Sequence, residues 1–345
     1  MRLECERREL ALVNPMSAAH GQVDGRVLLQ VQITGEDGEI GYGEAAPLPG
    51  YDGSDTGAVE AALRGYEPVL AAAEREGMNG PAIIEACRRV ADLPQALAAI
   101  DLALWDRAGR REGRPLAAML TDVPAPSVAV NATLTALDRA HVATQAQAAA
   151  IAGFRCVKVK VGVGDDAGRV AAARAGGGPG LELRLDANGA WGVEEAVRTI
   201  EALAPAGLEL VEEPTRGLQA VRAVRERVPV RVSIDETAAE PGALGAGVAD
   251  AVCLKVSRCG GIAALLAAAT LVRAAGAEVY LASTLDGPLG IAAALHAAAA
   301  LASRGPLPCC GLATLGLFAG VEDPLPPHDG AIALPTGPGL GVEPI

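Results

Sequence analysis

The stretch FRCVKVKVG, residues 154–162, sets three valines in strict alternation with two lysines. Side chains along a β-strand point alternately to its two faces, so the valines share one face and Lys158 and Lys160 share the other. A strand that only built a core would not carry two ammonium groups, because an unpaired charge is costly to bury. We therefore expect the valines to face a layer of helices and the lysines to face a functional interior.

From residue 127 onward, short strand-like runs alternate with alanine-rich helical stretches, as units of one strand and one helix require. In chain order the runs are SVAVNATL, CVKVKVG, LELRLDAN, LELVEEP, VRVSIDET, AVCLKVS, EVYLAST and PCCGLAT. Such an unbroken series favours a closed barrel with its active site where the strands end. The alternative is an open doubly wound sheet. That fold normally carries a glycine-rich nucleotide loop after its first strand, and NATLTALD is not such a loop.

The first part of the chain follows a different pattern. A strand over residues 27–34, a hairpin turn, a second short strand and a Gly/Pro-rich loop precede three helical segments, over residues 56–76, 81–90 and 93–109. Strands followed by helices are typical of an α+β module. We predict an α+β domain over residues 1–125, a barrel over 126–310, and a tail over 311–345 that packs on the first domain.

Ionisable residues stand at the carboxyl ends of five successive predicted strands. They are Lys160, Asp186, Glu212 or Glu213, Asp235, and Lys255. Any one of them alone would be an ordinary solvated loop residue. Gathered on the active-site rim of a barrel, they predict lysines and carboxylates that neutralise one another or a metal ion.

Three carboxylates from consecutive strands suit a hard divalent cation such as Mg²⁺, which prefers oxygen ligands. No histidine and no cysteine pair joins them, which disfavours zinc. The lysines come from the second and sixth predicted strands and would flank the metal from opposite sides. A nearby dication and a second ammonium group are expected to lower a lysine's pKa and make it a usable base.

Composition excludes several other classes of protein. The net charge is −13 and no basic stripe appears, which argues against nucleic acid or an anionic membrane as partner. The seven cysteines include no C-x-x-C pair, which favours a reduced, cytoplasmic protein. The longest apolar runs are too short to span a membrane, and the first residues have no signal-peptide core. The expected partner is a small molecule.

The motifs KVKVG, LDANGAW, VEEP, DET and LKVSRCGG, in this order, resemble those of the enolase superfamily, in its muconate-lactonising-enzyme-like branch. The likeness covers nearly the whole chain. YGEAAPLPG and ALWDRAGRREGRPL look like that branch's capping domain, and CGLATLGLF with EDPLPP is similar to o-succinylbenzoate synthases. The resemblance implies a modified TIM barrel, (β/α)₇β, with an N-terminal α+β capping domain completed by the C-terminal tail.

The resemblance also implies a site. Mg²⁺, with Mn²⁺ as a substitute, would be held by Asp186, Glu212 and Asp235, with Glu213 and Glu236 behind these ligands. Lys160 would be the catalytic base, Lys255 would stand opposite it, and Lys158 would lower the pKa of Lys160. Three further polar residues at strand ends are expected either to contact the substrate or to act as structural caps: Asn188, Ser283 and Thr284.

For function, the resemblance implies abstraction of the proton α to a carboxylate, giving an ene-diolate, followed by dehydration, as in o-succinylbenzoate synthase of menaquinone synthesis. N-succinylamino acid racemase or dipeptide epimerase, acting by 1,1-proton transfer, is the alternative. Muconate cycloisomerisation and a non-catalytic binding barrel are more remote. Loops over residues 14–26 and 47–55 would close over the barrel mouth, although His20 and Tyr51 could equally belong to ordinary surface loops. The branch also implies a homo-oligomer.

Overall fold

The computed structural model describes residues 1–18 and 21–345. The strands, in chain order, are β1 (Arg2–Ala18), β2 (Gly21–Thr34), β3 (Ile40–Ala45), β4 (Ser127–Ala129), β5 (Ala132–Leu134), β6 (Cys156–Lys160), β7 (Glu182–Asp186), β8 (Leu208–Glu212), β9 (Arg231–Ile234), β10 (Ala251–Leu254), β11 (Glu278–Leu281) and β12 (Ala331–Ala333). The helices are α1 (Pro49–Asp52), α2 (Thr56–Ala73), α3 (Gly80–Val90), α4 (Pro94–Glu112), α5 (Leu116–Leu120), α6 (Arg139–Ile151), α7 (Asp166–Gly177), α8 (Val193–Leu203), α9 (Leu218–Arg225), α10 (Val256–Cys259), α11 (Ile262–Ala274) and α12 (Pro288–Ala302).

The N-terminal domain is an antiparallel sheet, in the order β1-β2-β3, covered by α2, α3 and α4. Apolar side chains of β2, such as Val31 and Ile33, are fully buried against Leu63 of α2 and Ile100 of α4. The strand predicted over residues 27–34 is the second half of β2. Strand β1 was not predicted, because most of its side chains are exposed and charged residues occupy both of its faces.

The barrel contains a parallel seven-stranded sheet whose spatial order follows the sequence, from β5 to β11. Its two edges are joined by residues 310–311, because Cys310 pairs with Val130 and Gly311 pairs with Ala282. The amide of Gly311 donates to Leu281 O at 2.8 Å, and that of Cys310 donates to Ala129 O at 2.8 Å. Two bridge-paired residues of the PCCGLAT run therefore occupy the position of the eighth strand, and the predicted (β/α)₇β barrel with an α+β capping domain is confirmed.

Strand register places the ionisable residues on one rim of the barrel. Lys160 is paired with Asp186 between β6 and β7, and Asp186 is paired with Glu212 between β7 and β8. The valines of β6 are at most 1% exposed and belong to the main apolar core. The side chains of Lys158 and Lys160 remain 12% and 13% exposed.

The C-terminal tail contacts both parts of the molecule. Phe318 pairs with Leu12 of β1, and the amide of Leu116 donates to Gly339 O at 2.8 Å. Strand β12 pairs antiparallel with β4, which precedes the barrel sheet. The boundaries at residues 125 and 310 stay a prediction. Among the described residues, none of the helices combines the length and apolarity needed to cross a lipid bilayer.

Candidate active site

A pocket opens where the carboxyl ends of the barrel strands meet the capping domain. Residues that the sequence analysis singled out form much of its polar lining: Lys158, Lys160, Asp186, Asn188, Asp235, Lys255, Ser283 and Thr284. Apolar side chains come from the capping domain, at Met16, Val23 and Leu48, and from the barrel, at Leu285. The pocket therefore brings side chains of both domains against one set of charges.

One side of the pocket is an ion-pair cluster on β6, β7 and β8. The Lys160 ammonium lies 2.7 Å from Asp186 Oδ2, and the Lys158 ammonium lies 3.1 Å from the same oxygen and 3.3 Å from Glu212 Oε1. Burial alone would raise the pKa of Asp186, but the charges on Lys160 and Lys158 outweigh burial and hold that pKa well below its usual range. Asp186 is therefore ionised, and its oxygens are available to cations.

Glu212 is fully buried and is oriented by a tyrosine from the far side of the barrel. The hydroxyl of Tyr280, on β11, donates to Glu212 Oε2 at 2.8 Å and lies 3.0 Å from the hydroxyl of Ser233. Tyr280 is not among the residues predicted for the site. Strand alternation gives the signal that could have found it, because Tyr280 shares a face with Ala282, which lines the pocket.

The opposite side of the pocket is centred on Lys255, which follows β10. Its ammonium is paired with both carboxylate oxygens of Asp235, and it donates to the hydroxyl of Tyr51 at 2.5 Å. Tyr51 belongs to α1 of the capping domain, and its hydroxyl also accepts from Arg258 Nη1 at 2.9 Å. Both cations lie over its ring, at 4.6 and 5.0 Å from the centroid. Tyr51 is therefore part of the site rather than of an ordinary surface loop.

The contacts with carboxylates determine how these lysines ionise. Burial alone would lower the pKa of Lys255, but the charge on Asp235 outweighs burial and raises that pKa above its usual value. The pKa of Lys158 is raised in the same way, by Glu212 and Asp186. The sequence analysis expected a dication and a second ammonium group to lower a lysine's pKa. Beside these carboxylates Lys158 and Lys255 are cationic, and the lowering of a lysine's pKa by a dication stays a prediction.

The donors suit a hard divalent cation. Within the described ranges, oxygens of Glu212 and Asp235 and the sulfur of Cys253 lie within 4.8 Å of one another. Asp186 is linked to Glu212 through the Lys158 ammonium, which contacts both carboxylates. Burial raises the pKa of the Cys253 thiol well above its usual value, and sulfur is a soft ligand that a hard cation does not prefer. The carboxylate oxygens therefore form a candidate metal site, and the set of three ligands stays a prediction.

Three further polar residues form hydrogen bonds with the lysines and carboxylates of the site, with their backbone or with one another: Asn188, Glu213 and Glu236. Lys160 Nζ donates to Asn188 Oδ1 at 2.9 Å, and Asn188 Nδ2 donates to Glu236 Oε1 at 3.1 Å. Glu213 accepts from the amide of Asp235 at 2.7 Å. Burial, followed by the charge on Glu236, raises the pKa of Glu213 to about 8, and burial with the charge on Asp235 raises that of Glu236 to about 7.

Ser283 and Thr284 line the pocket but already have partners. The Ser283 hydroxyl lies 2.9 Å from that of Thr314, and the Thr284 hydroxyl donates to Asp286 Oδ1 at 2.6 Å. Their predicted contact with substrate stays a prediction. His20, in the predicted capping loop, lies outside the described residues.

Two family models match this architecture. The model described as mandelate racemase / muconate lactonizing enzyme, N-terminal domain, matches residues 3–121, and the model described as enolase C-terminal domain-like matches residues 141–345. The chain belongs to the mandelate racemase/muconate lactonizing enzyme family. The resemblance to this branch of the enolase superfamily, first seen in the motifs, is thereby confirmed.

Similar members of the family catalyse different reactions. Muconate cycloisomerase 1 of Rhodococcus opacus is 31% identical, over 97% of this chain and 93% of that protein. An o-succinylbenzoate synthase of Mycobacterium tuberculosis is 40% identical, over 60% of this chain and 64% of that protein. The crystal structure of a dipeptide epimerase from Enterococcus faecalis V583, complexed with Mg and the dipeptide L-Leu-L-Tyr, has a TM-score of 0.87. It is 27% identical, and the match covers 99% of this chain and 98% of that chain.

Proposed function

We propose that this protein abstracts the proton α to a substrate carboxylate with the help of a bound divalent cation, and that it is an o-succinylbenzoate synthase. One observation carries the proposal. Strands β6 and β10 occupy the second and sixth positions of an eight-stranded barrel, and they deliver Lys160, paired with Asp186, and Lys255, paired with Asp235. An acid bound between them would have an amine on each side of its α-carbon.

Asp186, Glu212 and Asp235 are the proposed ligands of Mg²⁺, with Mn²⁺ as a substitute. When bound, the cation supplies electrostatic stabilisation of the negative charge that develops on the substrate carboxylate as the α-proton leaves. These residues suit Mg²⁺ because they are buried carboxylates, which supply the oxygen ligands that a hard cation prefers. Two of them already bind a cationic group, since the Lys158 ammonium contacts both Asp186 and Glu212.

Lys160 is the proposed base. Asp186 and Asn188 hold its amine at the end of β6, where it can take the α-proton. In the dehydration, Lys160 would return this proton to the departing β-hydroxyl group, which leaves as water. Lys255, whose pKa is raised beside Asp235, would stay cationic and stabilise the anionic intermediate. Lys158 would adjust the charge around Asp186 and Glu212.

The likeness to an o-succinylbenzoate synthase supports the dehydration, because it has the highest identity of the three relatives described above. Racemisation or epimerisation by 1,1-proton transfer is the second candidate, favoured by the two opposed lysines. Within the described lining of the pocket, the acidic side chains are Asp186 and Asp235, and both are paired with lysines. A free substrate ammonium group would lack another acidic partner there. The pocket therefore favours N-acylated amino acids over dipeptides as racemase substrates.

A side-by-side assay tests the proposal. The Mg²⁺-loaded protein is given the β-hydroxy acid precursor of o-succinylbenzoate and, separately, N-succinyl amino acids, and both dehydration and exchange of the α-proton with D₂O are measured. We expect dehydration of the precursor and its loss in Lys160→Ala. Exchange of N-succinyl amino acids without dehydration of the precursor would replace the synthase assignment with the racemase. No exchange with either substrate would favour a binding protein.

We further propose that the protein acts in the cytoplasm as an assembly of identical copies. This follows from the cysteine pattern and from the resemblance to the family. Light scattering of the purified protein measures the assembly, and a monomeric mass would contradict it.

A further inference from the structure

We infer that Glu236 is a positioning residue for Lys160, acting through the side-chain amide of Asn188. The inference rests on the proposed role of Lys160 as the base. In this role, Glu236 determines whether the oxygen or the NH₂ group of the Asn188 side chain faces Lys160.

The chemistry of the two contacts supports this assignment. An asparagine side chain can present either its oxygen or its NH₂ group to a neighbour, and an ammonium group can only donate. Glu236 Oε1 accepts from Asn188 Nδ2 at 3.1 Å, and this contact directs Asn188 Oδ1 toward Lys160 Nζ, which lies 2.9 Å away. If the amide were reversed, its NH₂ group would face the ammonium group, donor against donor. A carboxylate at position 236 therefore selects the productive orientation.

The backbone of Asn188 also indicates that this placement is under constraint. Its φ of 46° lies in the left-handed region, which is sparsely populated by residues other than glycine. The amide of Asn188 donates to Asp186 Oδ1 at 3.1 Å and holds the residue beside the metal-site carboxylate. Strained backbone of this kind persists where surrounding contacts over-determine it, and it clusters at functional sites.

Stability does not account for the burial of Glu236. The residue begins a short 3₁₀ helix after β9 and is only 8% exposed. Its second oxygen, Oε2, is buried with no hydrogen-bond partner among the described residues. Glu236 forms an ion pair with Arg216, whose Nη2 lies 3.9 Å from Glu236 Oε1. Because the Arg216 side chain is 55% exposed, this ion pair contributes little to stability. Burial of a half-satisfied carboxyl group costs free energy. The hydrogen bond with Asn188 explains why a carboxyl group is buried at this position in spite of that cost.

Loss of the Glu236 contact should affect one face of the pocket. Lys160 would retain Asp186 but lose a correctly oriented Asn188, so its amine would lean toward the carboxylate and away from the α-proton. On the opposite side of the pocket, Lys255 is held by Asp235 and Tyr51. It has no hydrogen bond with Asn188 or with the Glu236 side chain among the described contacts. The defect should therefore appear for protons removed by Lys160 and not for those removed by Lys255.

Two substitutions separate the hydrogen bond that Glu236 accepts from Asn188 from the negative charge of Glu236. Glu236→Leu removes the acceptor, whereas Glu236→Gln keeps a carbonyl oxygen that can accept from Asn188. Glu240→Leu is the matched control, because it makes the same change at an exposed residue that follows the same 3₁₀ helix. Thermal unfolding checks that each variant folds, and Glu236→Ala replaces the leucine variant if that one does not fold.

The readout is exchange of the α-proton of N-succinyl-L-phenylalanine and of N-succinyl-D-phenylalanine with D₂O, measured by NMR on the Mg²⁺-loaded protein. Lys160→Ala first identifies the enantiomer that depends on Lys160. For that enantiomer we expect Glu236→Leu to lower kcat by roughly 10- to 100-fold, the scale of a misplaced catalytic group. The other enantiomer should change by less than about twofold. Glu236→Gln should recover most of the rate, and Glu240→Leu should match the wild type.

An unchanged rate in Glu236→Leu, or an equal loss for both enantiomers, would overturn the inference. If the wild type exchanges neither enantiomer, the racemase alternative fails and a crystal structure of Glu236→Leu decides the inference. A Lys160 amine still hydrogen-bonded to Asn188 Oδ1 in that structure would refute it, and loss of the bond would support it.

Discussion

Replacement of Tyr51 by phenylalanine removes one oxygen atom from the contact between the capping domain and Lys255. That oxygen accepts from Lys255 at 2.5 Å and from Arg258 at 2.9 Å, and it forms a hydrogen bond with Asp235. The phenylalanine ring would keep both cations over its face. The substitution therefore isolates the hydroxyl group from the rest of the side chain.

The size of the effect follows from what remains. A hydrogen bond to a charged group contributes about 1.5–3 kcal/mol. Lys255 keeps its ion pair with Asp235, and Arg258 Nη1 still donates to the backbone oxygen of Asp235 at 3.3 Å. The lost free energy should therefore lie near the lower limit of this range. At about 1.4 kcal/mol per factor of ten, this is roughly a tenfold loss of rate. Tyr51→Leu also removes two cation–π contacts, each worth at least about 0.5–1 kcal/mol, and should lose about a further five- to thirtyfold.

Proton exchange of both N-succinylphenylalanine enantiomers in D₂O measures the effect. Saturating Mg²⁺ removes any contribution from weaker metal binding through Asp235. We expect the tenfold loss for the enantiomer that depends on Lys255 and little change for the other. If Tyr51→Phe exchanged both enantiomers at the wild-type rate, or slowed both equally, Tyr51 would not position Lys255 and the reasoning would be refuted.

Three further predictions concern other parts of the site. Lys160→Ala should abolish turnover while the protein still unfolds cooperatively, because the side chain is partly exposed, and substantial remaining activity would remove Lys160 as the base. Asp235→Asn should weaken Mg²⁺ binding at least tenfold in calorimetry, since it removes a charged oxygen ligand, and unchanged affinity would contradict that role. Burial, with the charge on Asp286, raises the pKa of Glu44 to about 8. The folded protein then binds a proton that the unfolded chain releases from about pH 4.5 upward, so the free energy of unfolding falls as pH rises toward 8. Glu44→Gln should flatten this fall in urea titrations at pH 5 and pH 8, and parallel pH profiles would count against it.

Much of the fold was predictable because its signals are local. The alternation of valine and lysine in β6 predicted both the strand and its two faces, and the PCCGLAT run predicted the segment that closes the barrel. Helix α4 was expected over residues 93–109 and extends over Pro94–Glu112. Strand β1 was missed because an exposed edge strand with charges on both faces has no apolar period to detect.

The site was predictable only in part. Strand ends and register bring Lys160, Asp186 and Glu212 to one rim, which the order of motifs already indicated. The contacts that orient these groups cross long distances in sequence. Tyr51 and Lys255 are 204 residues apart, and Tyr280 and Glu212 are 68 apart. No local pattern encodes such a pairing, because it depends on how the capping domain and the barrel come together.

The eighth strand of the barrel has a consequence for biogenesis. It is formed by Cys310 and Gly311, after which the chain passes Thr314, on the wall of the pocket, and reaches Phe318 beside Leu12. During synthesis on the ribosome, the pocket can gain its last wall only when these late residues emerge from the exit tunnel. Until then the buried lysines and carboxylates of the earlier strands stay open to water, which weakens their mutual attraction. The assembled pocket should therefore arise late in synthesis and abruptly, together with the pairing of Phe318 with Leu12.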